Sequence, residues 1–265
     1  MRLFYSGLQK LATRMATLLT FGLLAGLLVM IDLAVAATRG AGSNGGGNPL
    51  ALVTFPGAYD LILSFLFGLG GLFAVIYGAA IAGSEWTWGT LKTAVVRGES
   101  RSRYLLATFA AIALVLAVGL LITFVIGVAA AAVGSTIAGI SLDGIGDTAM
   151  LGTLPEHFVR GWVAITATAA LGFAVATLAR SQLAGIGVGI AFYFGETFAG
   201  IFLPDVVRYL PFHLSQAAVG GGEGFGGPPD AGALSTTTAL VLVTVWLIGS
   251  LVVAAGFSER AEITG

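Results

Sequence analysis

Apolar residues in this chain do not alternate with polar ones; they run in blocks. Six blocks, at 15–37, 61–82, 105–133, 158–179, 183–203 and 239–257, are each long enough to cross a hydrocarbon core about 30 Å thick as a helix. Gly recurs inside them, as membrane helices tolerate where backbones pack closely. Before the first block, residues 1–14 read MRLFYSGLQKLATR. On a helical wheel Phe4, Leu8, Leu11 and Ala12 share one side, and Ser6, Gln9, Lys10, Thr13 and Arg14 share the other. That pattern predicts an interfacial helix lying along the membrane surface. A signal peptide ending near Ala34–Ala36 is the rival reading, but its apolar run is long for one and carries Asp32.

Composition narrows the class. Hydrophobic residues make up 57% of the 265, charged residues 9%, and the mean hydropathy is +0.98. Soluble domains carry about 25% charged residues, so the expected fold class is an all-α membrane protein with a single transmembrane domain. A net charge of -1 gives no reason to expect nucleic acid as a partner. With no Cys there is no disulfide or thiolate chemistry. His157 and His213 are too few for a histidine-rich metal site, so none is expected.

Lys and Arg set the expected orientation. With both termini cytoplasmic, Arg2, Lys10, Arg14, Lys92, Arg97, Arg101, Arg103, Arg180 and Arg260 lie inside, and Arg39, Arg160 and Arg208 outside. The outer connections are then 38–60, 134–157 and 204–238. The first and last contain the turn-rich runs GSNGGGN and GGGEGFGGPPD. The last also contains LPDVVRYLPFHLSQAAV, whose two Pro predict short broken helices sheltered by protein.

Charge is concentrated at 83–104, between the second and third blocks, where the chain reads GSEWTWGTLKTAVVRGESRSRY. Taken as one helix, 85–96 places Trp88, Leu91 and Val95 on an apolar face, with Glu85 and Lys92 on a polar one. Gly89 removes a side chain where a partner would approach. The plain alternative makes Trp86 and Trp88 interfacial anchors and the Arg residues topology signals.

This segment resembles the cytoplasmic connection between the second and third spans of ABC-2 type permeases, the membrane subunits of a class of ABC transporters. Glu85, Gly89, Thr90, Leu91, Lys92 and Arg101 or Arg103 occupy the places of the family's Glu, Gly-Thr, short apolar helix and Arg. Residues 98–100 read Gly-Glu-Ser where many members have a Pro or a second apolar residue. The resemblance implies a bacterial or archaeal cytoplasmic membrane, a partnership with a cytoplasmic ABC ATPase, and a second permease copy or related permease. It makes Glu85, Trp88, Gly89, Thr90, Leu91, Lys92, Arg97, Arg101 and Arg103 an ATPase-coupling segment. The chain is not expected to be an enzyme by itself or to bind a cofactor directly. A P-loop needs Gly-Lys-Ser/Thr after a Gly-rich turn, and neither LQKLA nor TLKTA provides it. ATP and Mg would be used by the partner.

Asp32 and Glu196 fall inside predicted spans, where a charge costs at least ~2.5 kcal/mol. Because the first and fifth spans border the translocation route in the family, Asp32, Tyr193 and Glu196 are candidates for that route. The expected function is export of a lipid-like or amphipathic compound. The alternative is a secondary transporter or channel coupled to ions through Asp32 and Glu196.

Overall fold

A computed structural model describes residues 2–37, 49–96, 98–219 and 234–260. The regular structure of those residues is entirely helical. It comprises α1 (Arg2–Ala12), α2 (Met15–Ala37), α3 (Gly57–Thr87), α4 (Thr90–Val96) and α5 (Arg101–Ala138). These are followed by α6 (Thr148–Ala179), α7 (Gln182–Phe202), α8 (Pro204–Val207), α9 (Pro211–Val219) and α10 (Thr236–Arg260). Six of them, α2, α3, α5, α6, α7 and α10, are long and apolar enough to cross a membrane. The turn-rich runs at 42–48 and 220–230, together with Arg39 and Arg97, lie outside the described residues.

Helix α2 has the bounds its apolar block predicts, whereas α3, α5 and α6 overrun theirs. Their 31, 38 and 32 residues correspond to about 46, 57 and 48 Å, well beyond a ~30 Å core. Apolar blocks mark what lipid or protein covers; the helices continue through polar turns because the backbone finds partners there. The Asp147 carboxylate accepts the Met150 N–H at 2.8 Å and starts α6 ten residues before its apolar block. The expected connection at 134–157 therefore shortens to 139–147, with a 3-10 turn at Asp143–Gly146. At the tight turn into α7, Arg180 takes a left-handed φ of 50° and Ser181 accepts the Ala184 N–H at 3.3 Å.

Helices α3 and α6 form the centre, and small residues let their backbones meet. A Cβ at Gly78 would overlap the Ala169 carbonyl oxygen, and one at Gly172 would overlap that of Val75. Helix α7 joins the pair in the same manner, with Gly185 against Ala176 and Gly189 against Val75. Gly83, near the end of α3, lies against the Gln182 backbone at the start of α7. Phe109 of α5 meets Phe173 of α6 edge to face at 5.4 Å. The short helices expected in the last long connection are α8 and α9. Phe212, Leu214, Ser215 and Ala218 of α9 are buried against the bundle.

The bundle has two unlike ends. Helix α1, α4, the starts of α2, α5 and α7, and the finishes of α3, α6 and α10 share one; α8 and α9 lie towards the other. At the α4 end, Arg101 donates to the Ser258 carbonyl at 3.1 Å, while Glu259 accepts the Ser102 N–H at 3.0 Å. Each helix end thus receives the charge its dipole favours.

The α3–α6 seam predicts a sharp contrast between glycines. Gly78→Ala or Gly172→Ala should lower stability by about 1–3 kcal/mol through overpacking. Gly26→Ala, whose Cβ meets nothing within 4 Å, should change little. Thermal unfolding of the purified protein in detergent measures the difference.

Candidate functional site

The charged segment between the second and third spans builds its centre around Glu85. Its side chain is only 1% exposed, because α3 runs on to Thr87 and carries Glu85 into the bundle. Lys10 of α1 donates to Oε1 at 2.7 Å, and Arg14, between α1 and α2, approaches the same oxygen at 3.5 Å. Tyr104 of α5 donates to Oε2 at 2.6 Å, and the Thr90 hydroxyl at the start of α4 donates to Oε2 as well. One carboxylate therefore joins α1, the α1–α2 junction, α3, α4 and α5. A buried carboxylate is tolerable only when paired and hydrogen-bonded, and both of its oxygens are.

Neighbouring groups extend the network. Arg14 donates to Ser84 Oγ at 2.8 Å, and Ser84 donates in turn to the Ile81 carbonyl at 2.7 Å. The Arg14 guanidinium also lies 4.7 Å over the Trp88 ring. One turn into α2, the hydroxyls of Thr17 and Tyr77 are 2.9 Å apart. Trp86 is partly buried, with Arg180 5.5 Å over its ring.

This geometry corrects the single-helix reading of 85–96. The helix breaks at Trp88–Gly89, and Gly89 has φ +65°, a left-handed turn that an L side chain adopts with strain. No atom of the chain lies within 4 Å of its Cβ position, so the turn, not packing within the bundle, calls for glycine here. Glu85 leaves the solvent-facing polar side it was assigned, and Trp88 is 65% exposed rather than on the apolar face. Leu91 is buried as expected, while Thr93 and Val96 are exposed. Lys92 belongs to α4, and its side chain lies outside the described residues. Arg101 serves the end of α10, and Arg103 is exposed, 3.6 Å from Glu99. Lys10 and Arg14 are likewise drawn from the predicted polar face of α1 into ion pairs, whereas Ala12 is exposed.

Sequence reasoning missed Lys10, Arg14 and Tyr104 as partners of Glu85. A usable signal was present: Tyr104 stands immediately before an apolar block and needs a partner for its hydroxyl, and Glu85 is one of two acids, with Glu99, on the adjoining connection.

The three candidates for the translocation route separate in space. Glu196 is 2% exposed and accepts the Phe212 N–H at 3.1 Å and the His213 N–H at 3.1 Å. It caps the start of α9, where free N–H groups and the helix dipole favour an anion. His213 Nδ1 is a further 3.4 Å neighbour. Asp32 is fully buried on α2 beside Gly134 of α5, and among the described residues neither carboxylate oxygen has a hydrogen-bond partner. Tyr193 lines a cavity of about 410 Å³ towards the α9 end, and neither Asp32 nor Glu196 contributes to its lining. Among the described residues no group of three His, Asp or Glu is placed to hold a metal ion.

Glu85→Ala should be the most destabilising change at the site. It leaves Arg14 and Tyr104 without their acid, costing about 3 kcal/mol, the low end for a broken buried pair because Lys10 is 35% exposed and keeps contact with water. Lys10→Met should cost less than about 1 kcal/mol. Denaturation of both variants in one detergent provides the comparison.

Glu196 offers an independent test in which shape and charge part. Glu196→Gln retains an acceptor for the α9 N–H groups, whereas Glu196→Ala does not. Limited proteolysis should cut the α8–α9 region of the Ala variant faster, with the Gln variant between it and the wild type.

Comparison with known proteins places this architecture in a family. YhcI of Bacillus subtilis (strain 168), an uncharacterized protein, is 27% identical over 215 residues, covering 74% of this chain. The chain spans 65% of that relative's length. A family profile matches residues 48–259, which takes in α3 to all but the last residue of α10. The chain therefore belongs to the family described as Protein of unknown function (DUF2705).

Proposed function

We propose that the chain is the membrane permease subunit of an ATP-driven exporter, powered by a separate cytoplasmic ABC ATPase. The observation that carries this reading is the Glu85 junction. A short helix, α4, projects at one end of the bundle, and the group at its root is tied to α1, α3 and α5. A push on α4 would reach several long helices at once through short, charge-assisted hydrogen bonds. Such a linkage suits an ABC-2 type coupling segment better than an anchor, which needs contact with the membrane interface alone.

Charge supports the orientation. Lys10, Arg14, Arg101, Arg103, Arg180 and Arg260 gather at the α4 end, whereas Arg160 and Arg208 stand towards the other. By the positive-inside rule the α4 end faces the cytoplasm, where an ATPase would be met. In this arrangement α1 lies along the cytoplasmic interface, and two permeases work with two ATPase subunits. The partner binds ATP and Mg. The ion-coupled alternative through Asp32 and Glu196 is weakened because backbone N–H groups already engage Glu196.

The contact is expected on the exposed rim of α4 rather than at Glu85. Thr93→Tyr and Val96→Asp alter exposed positions and should leave the thermal stability of the bundle within about 0.5 kcal/mol. Co-purification with an ABC ATPase encoded beside the permease gene should fall at least tenfold for each variant, and transport-linked ATP hydrolysis with it. Undiminished co-purification by both variants would remove α4 as the contact.

A further inference from the structure

Helix α3 presents Asp60, Ser64 and Gly68 at intervals of four residues, so they stack along one face. That face looks into the cavity towards the α9 end, with Leu63 and Phe67 beside it. The opposite walls come from Ile31 of α2, His157 of α6, Tyr193 of α7 and Gln216 of α9. At about 410 Å³ the cavity falls within the usual ~300–1,000 Å³ of small-molecule sites.

Its polar groups are unspent. Among the described residues, the side chains of Asp60, Ser64, Tyr193 and Gln216 make no hydrogen bond to the rest of the chain. His157 Nδ1 lies 2.9 Å from the Thr153 carbonyl, an acceptor, so Nδ1 is the donor of that contact and Nε2 is the ring nitrogen left for a ligand. Among the described residues Asp60 is the only carboxylate in the lining, and no Lys or Arg accompanies it. An anionic ligand would meet an uncompensated negative charge. A primary ammonium would find a carboxylate and several neutral acceptors for its three N–H groups. Phe67, Leu63, Leu69 and Ile31 supply an apolar wall for a hydrocarbon body.

We propose that this cavity binds an amphipathic molecule bearing a protonated primary amine, with the amine at Asp60 and the apolar body against α3. As a cargo site it rests on the transport reading above. Binding is measured without an ATPase, so failure here is distinct from failure of the partner test.

The test uses the full chain in phosphatidylcholine nanodiscs, with radiolabelled dodecylamine as probe and empty nanodiscs to subtract partitioning. Saturable binding at one site per chain is expected. Asp60→Asn should weaken it at least tenfold, while binding of uncharged dodecanol should be indifferent to that change. Gly68→Leu provides a second variant: its Cβ position is open and Gly68 lines the cavity, so the new side chain extends into that space. Saturable binding should vanish in Gly68→Leu at an unchanged or higher melting temperature. Replacing part of the lipid with phosphatidylethanolamine distinguishes sources: competition identifies a lipid headgroup, and its absence a free amine. Dodecylamine binding no greater than in empty discs, or equal in wild type and Gly68→Leu, would overturn the site. Saturable binding indifferent to Asp60→Asn would overturn the amine.

Discussion

The backbone contact between α3 and α6 governs the placement of the other elements. Carbonyl oxygens of Ala169 and Val75 occupy space that any side chain at Gly78 or Gly172 would need. In a hydrocarbon solvent there is no hydrophobic driving force between helices, so close packing must hold them together. Once α3 and α6 are this close, α7 can reach both, using Gly185 against α6 and Gly189 against α3. About two turns beyond Gly78, α3 delivers Glu85 to the end of the bundle. The seam thus sets both the depth and the direction from which the carboxylate meets its partners.

At that end the physics changes from packing to charge. A partly shielded carboxylate with two cations and two hydroxyl donors is costly to desolvate, and an apolar replacement could match its stability. Its distinctive property is connection, since few side chains can bind three helices and a junction through a pair of atoms. Asp32 presents the opposite case. It is buried, and among the described residues neither of its oxygens has a partner.

Length and apolarity made the six long helices legible, and α2 shows how well this works when an apolar block ends at a real helix end. The helices α3, α5 and α6 exceed their blocks because apolarity reports covering, not hydrogen bonding; Asp147 at the start of α6 is a polar signal outside any block. At 85–96 the helical period ran straight through Gly89, whose left-handed turn rotates Trp88 away from Leu91. A Gly within a periodic run reads equally as packing notch or break, and only the neighbouring helices decide between them. Glu196 shows a different limit: its depth in an apolar block marked it as unusual, but its partners are N–H groups of α9, which any sequence possesses.

The clasp between α5 and α10 joins residues 157 positions apart in the chain. At a synthesis rate of about 5–20 residues per second, roughly ten to thirty seconds separate the arrival of its two halves. Ser100 makes no side-chain cap for α5, so in that interval the first turn of the helix depends on water for its free N–H groups. The clasp between these two helix ends therefore closes only when the last helix is inserted, and that helix completes the first turn of the earlier one.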